Sequence, residues 1–168
     1  MALFSMKLEN LQQLFVKELR DLYDAEKQIT EALPKLIEAA HHSELKSALR
    51  EHLHVTKQQI SRLDQIFQKL NQKPTGESCK GMKGIIKEGD EVVSAGGDPS
   101  TVDAGIISAA QRVEHYEMAG YGTVRTYAQL LGQQEMARLL QQTLDEEADA
   151  DQTLSQIAGS VNIEAKAA

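Results

Sequence analysis

The stretch Ala109-Ala110-Gln111-Arg112-Val113-Glu114-His115-Tyr116-Glu117 decides how this chain is read. Its flanks place it on a long helix, because Ala110, Glu117 and Val124 recur at intervals of about seven residues, close to two turns of an α-helix. Glu117 therefore points where the neighbouring residues are apolar. The same happens elsewhere: Glu26 stands between Leu19 and Leu33, Glu147 between Leu140 and Leu154, and Asp151 between Leu144 and Ala158. A carboxylate on a core-facing stripe is costly unless it is paired or neutralised. Several in one small protein call for a partner, and a metal ion is the partner the pattern points to.

Apolar spacing predicts four long helices and one short one: about 7–40, 44–71, 80–95, 101–131 and 133–161. Pro34 lies inside the first and is expected to bend it. His41, His42 and Ser43 make the first turn, exposed, with Ser43 as the expected N-cap of the second helix. Lys73-Pro74-Thr75-Gly76 breaks the second helix, and Gly96-Gly97-Asp98-Pro99 ends the short one before Ser100 or Thr101 caps the next. Gly132 closes that helix, and the tail from Asn162 is expected to fray. Nowhere does strand-like alternation occur. Turns of a few residues make two antiparallel hairpins, and a connection of about 30 residues carries the chain between them. The expected fold is thus all-α: a single ferritin-like four-helix bundle over residues 1–168, with a fifth short helix in its crossover.

Composition bounds the function. The chain has 168 residues, 41% hydrophobic and 26% charged, an ordinary soluble balance with room for a core. A net charge of -7 argues against nucleic-acid binding, which needs clustered bases against phosphate. No apolar run spans a membrane, and Met1 to Met6 is too short for a secretion signal, with Met6 a candidate start. A single cysteine, Cys79, fits the reducing cytoplasm and is read as incidental. The bases Lys80, Lys83 and Lys87 are balanced by neighbouring acids and are read as solvated.

The candidate metal ligands are Glu26, His52, Glu114, Glu117, Glu147 and Asp151. Carboxylates with an imidazole suit iron or manganese, and related bundles place one Glu on each of two helices and a Glu-x-x-His pair on the others. Glu51-x-x-His54 matches that spacing but shares its phase with Gln58, Gln65, Ser61 and Gln68, so it is read as a surface pair. His52 has the better phase, between Leu45 and Gln59, although counting from the turn sets it about 9 Å along the axis from Glu26. The opposing expectation is an ion-pair network of the same acids with Lys27, Arg112 or Arg125, or one acid kept protonated. Tyr23, Tyr116, Tyr121 and Tyr127 are read as core packing with a wet hydroxyl.

The run from Ala109 to Glu117, with Leu22-Tyr23-Asp24-Ala25-Glu26-Lys27-Gln28, Ala32-Leu33-Pro34-Lys35, Tyr121-Gly122-Thr123 and Thr143-Leu144-Asp145-Glu146-Glu147, resembles the YciE/YciF family of bacterial ferritin-like stress proteins. The resemblance implies a rubrerythrin-like homodimer linked to stress responses, with no assigned reaction. It also marks a departure: the family's His-Leu-x-Glu-Thr run is His52-Leu53-His54-Val55-Thr56 here, with Val55 in place of the acid. The expected cofactor is a di-iron or di-manganese pair. The alternative is a non-catalytic dimeric structural protein that binds no metal.

Overall fold

The computed structural model describes residues 8–168, so the expected helix start at Lys7 lies outside the described residues. Five helices follow in order: α1 Leu11–Ala39, α2 Ser43–Lys69, α3 Lys80–Ala95, α4 Pro99–Leu130 and α5 Gln134–Ala167. No strand occurs among the described residues. Three of the helices, α1, α3 and α4, begin at a residue whose side chain accepts from a first-turn N–H. Asn10 caps α1 by accepting from Gln13 N at 2.9 Å, and Asp98 caps α4 by accepting from Thr101 N at 2.9 Å, with Pro99 in the first turn. Asp98, not Ser100 or Thr101, is therefore the cap of α4.

Ser43 is not a cap either. It is the first residue of α2, and His42 at the cap position makes no side-chain bond. The buried Asp103 of α4 instead braces the turn ahead of α2 from across the bundle, accepting from His41 N at 2.8 Å and His42 N at 2.7 Å. At its far end α4 stops at Gly132, whose φ of 74° suits glycine, with Gln133 N donating back to Ala128 O at 2.8 Å. α1 continues through Pro34. The expected fraying at Asn162 does not occur, since α5 runs on to Ala167. Val161, seven residues beyond Leu154, is buried and extends the apolar stripe, and no glycine or proline follows it.

α1 packs beside α2 and α4, α5 beside α4 and α2, and α3 lies against α1 and α4. The apolar residues fall into two clusters, one at each end. One gathers Phe15, Leu19 and Leu22 of α1, Leu63 and Phe67 of α2, Tyr121 and Val124 of α4, and Leu140 of α5. The other gathers Ile29 and Leu33, Leu45 and Leu49, Ile106 and Ala110, and Leu154 and Ile157, with Met82 of α3. The order in which each helix meets the two clusters makes α1 antiparallel to both α2 and α4, and α5 antiparallel to both α4 and α2. This is the ferritin-like arrangement of two hairpins joined by a long crossover. Between the two clusters lies a layer of buried polar side chains.

Candidate metal centre

The polar layer is built by one stripe from each long helix. On α2, Leu45, His52, Gln59 and Ile66 recur every seven residues and are all buried, as do Leu49, Thr56 and Leu63. Glu26 of α1, Glu114 and Glu117 of α4 and Glu147 of α5 complete the layer, each no more than 2% exposed. His52, Glu114, Glu117 and Glu147 each place one ligand-type atom within 4.8 Å of the others. His52 Nδ1 stands 3.6 Å from Glu114 Oε1, and Thr56 ties its hydroxyl to His52 O at 2.8 Å. The Glu26 carboxyl accepts from the Tyr121 hydroxyl and faces Glu117, and that of Glu114 faces Glu147.

Five of the six candidates read from the sequence, Glu26, His52, Glu114, Glu117 and Glu147, lie in this layer, and Asp151 does not. Asp151 lies outside the group: it is half-buried, accepts from Gln111 at 3.1 Å and sits 3.3 Å from His115 Nε2. Its stripe mates Leu144 and Ala158 are likewise only half-buried, so that stripe runs along the edge of the core. Tyr121 was expected to keep a wet hydroxyl and instead is fully buried on Glu26. Glu51 and His54 are exposed, as their phase requires.

A supporting network went unread. Gln59 donates to Glu147 and, at 3.2 Å, to Glu146 Oε2. Arg62 grips both oxygens of Glu146 at 2.9 Å and also reaches Thr143. The available signal was Gln59, a polar residue seven after His52 on an apolar stripe. No ion pair joins Lys27, Arg112 or Arg125 to the acids among the described residues; Arg125 turns to Gln141 and Thr126.

Burial, and then the charge of Glu147, push Glu26 and Glu117 well above the usual carboxylate range. Burial and the nearby Glu147 carboxyl do the same to Glu114, while burial holds His52 below its usual value. Tyr121 is raised by burial and by Glu26. The site therefore carries more carboxyl groups than it can keep ionised unaided. Six of its atoms are buried without a hydrogen-bond partner: Glu26 Oε2, His52 Nε2, Glu114 Oε2, both oxygens of Glu117 and Glu147 Oε2. Orphaned oxygens and one imidazole nitrogen, converging from four helices, fit a divalent transition-metal ion.

Fold and site together define a ferritin-like bundle with a carboxylate-rich core. Residues 10–168 match the family described as "Domain of unknown function (DUF892)". The chain is 41% identical over 154 residues to Protein YciF of Escherichia coli strain K12, covering 91% of this chain and 93% of that protein. The solved structure of the E. coli stress protein YciF superposes with a TM-score of 0.89 at 40% identity, over 92% of this chain and 98% of that one. YcfI of Rhodopseudomonas palustris superposes with a TM-score of 0.87 at 45% identity, over 90% and 97%. The chain belongs to the DUF892 family of YciF-like proteins.

Proposed function

We propose that this chain is a metal-binding, stress-linked protein of the YciF type, holding iron or manganese at Glu26, His52, Glu114, Glu117 and Glu147. The six unpartnered ligand atoms in this buried layer carry this reading. Charge supports the stoichiometry: the four carboxylates balance two divalent ions, while a single imidazole makes for a weak site. Fe(II) held there supplies reactivity toward oxygen or peroxide. The chain's own contribution is to position the ligands: Gln59 and Tyr121 orient Glu147 and Glu26, and Arg62 anchors Gln59's second partner, Glu146. Asp151 stays out of the set. The homodimer and cytoplasmic location expected from the sequence belong to the same reading, and sedimentation of the purified chain checks the first.

One observation favours a second reading, a structural protein without metal. The facing carboxyls of Glu26 with Glu117 and of Glu114 with Glu147 become hydrogen bonds if each pair keeps a proton. Elemental analysis of protein purified without chelator, followed by Fe(II) and Mn(II) titration, separates the two. Saturable binding that disappears in Glu117→Ala with Glu147→Ala supports the metal site. No binding, with the double variant as stable as the parent or more so, leaves the protonated structural layer.

A further inference from the structure

A pocket of about 300 Å³ opens beside the polar layer, on the α3 side of the bundle. Its walls are small or aliphatic: Ala32, Ala48, Val55, Ile85, Val113 and Ala150 all line it. Five alanines, Ala32, Ala48, Ala109, Ala110 and Ala150, with Gly89, contribute little volume to its lining and leave the space open. His52 and Glu114 form its buried polar end, and both keep a partnerless atom, Nε2 and Oε2. Glu51 and Asp149, both exposed, lie at its outer edge, with half-buried Glu146 and Asp90 taken up by Arg62 and Lys35. A dry cavity of about 150 Å³ is enough to bind benzene, so this one suits a molecule roughly twice that size.

We infer that the pocket binds an uncharged aliphatic molecule of medium chain length with one terminal oxygen, its chain along the alanine-rich wall and its oxygen at His52 and Glu114. Charge selects the class. A carboxylate or phosphate head would pass Glu51 and Asp149 and finish against Glu114, with no lysine or arginine in the lining to receive it. A fully polar ligand would leave the aliphatic walls wet. The inference rests on the pocket rather than on metal occupancy, although its polar end is shared with the proposed centre.

Calorimetric titration of the metal-free full chain with 1-octanol, 1-pentanol and octanoate tests it. The expected result is saturable 1-octanol binding, weakening about fourfold for each methylene removed, as burial of a methylene predicts, with octanoate at least about tenfold weaker. Ala32→Leu and Val55→Phe, which lie outside the proposed ligand set, should each cut octanol affinity about tenfold or more while melting cooperatively. Absence of octanol binding, equal affinity for octanoate, or indifference to both substitutions in folded protein overturns the inference. Because the protein is metal-free, failure of the metal reading leaves this outcome unaffected.

Discussion

The two ends of the bundle follow the same helical pattern and do different things with it. The end around Phe15, Phe67 and Tyr121 is filled by large side chains, seven of them fully buried: Phe15, Leu19, Leu63, Ile66, Phe67, Tyr121 and Leu140. The end beneath α3 substitutes alanine and glycine along its inner faces and leaves about 300 Å³ open against the polar layer. Periodicity sets which residues face inward; their volume decides whether a face becomes ballast or access. The carboxylates sit at the boundary, closed on one side and approachable from the other.

The largest expected effect tests the closed end. Phe67→Ala should cost about 3–5 kcal/mol in urea denaturation, because the ring packs edge-on against Tyr23 in a filled cluster that cannot collapse. A cost below about 1 kcal/mol would abolish the distinction between the two ends.

In the polar layer, Glu117→Leu should stabilise the metal-free protein by about 1–4 kcal/mol, since it removes a buried carboxyl with no partner. The same layer sets the pH response of the metal-free protein. Glu26, Glu114 and Glu117 titrate above the ordinary value of 4.5, so their contribution is complete below that value and is lost as pH rises through the raised folded values. His52 is lowered from 6.5, so it opposes them only below that pH. The thermal midpoint should therefore fall from about pH 6.5 to about pH 8, and less steeply in Glu117→Leu. A midpoint that rises over this range would show that the acids are ionised with partners of opposite charge.

Gly120→Ala sharpens the comparison at the closed end. An added Cβ would meet Leu22 Cδ2 at 2.6 Å, and the buried leucine has little room to retreat, so about 1–3 kcal/mol should be lost. At the open end, Ala32→Leu should instead add about 0.5–2 kcal/mol by filling space. Opposite signs for these two enlargements are the smallest effects proposed and the most direct contrast between the two ends.

The hairpins and crossover were legible because turn residues such as Gly132 and the glycine-rich segment before Asp98 punctuate strong helical stripes. The end of α5 was not, because Val161 continues the stripe after a stretch that looked like tail. His52 shows a different limit. Its level was judged against Glu26 within its own hairpin, yet its nearest acid is Glu114, on the other hairpin. Turn-counting fixes levels only between helices joined by that turn; the long crossover leaves the register of the two hairpins free in sequence terms. The same gap hid Gln59 and Arg62, whose partners Glu146 and Glu147 are 84 to 88 residues away.

Asp103 adds a kinetic consequence. The turn between α1 and α2 gives two successive amide protons, those of His41 and His42, to a carboxylate some 60 residues later in the chain, at 2.8 and 2.7 Å. As a nascent chain emerges, the first hairpin can collapse but its corner stays unfinished until α4 arrives. The ordering of that turn is thereby tied to the second hairpin, and a fragment ending after α2 would lack the acceptor that fixes the corner.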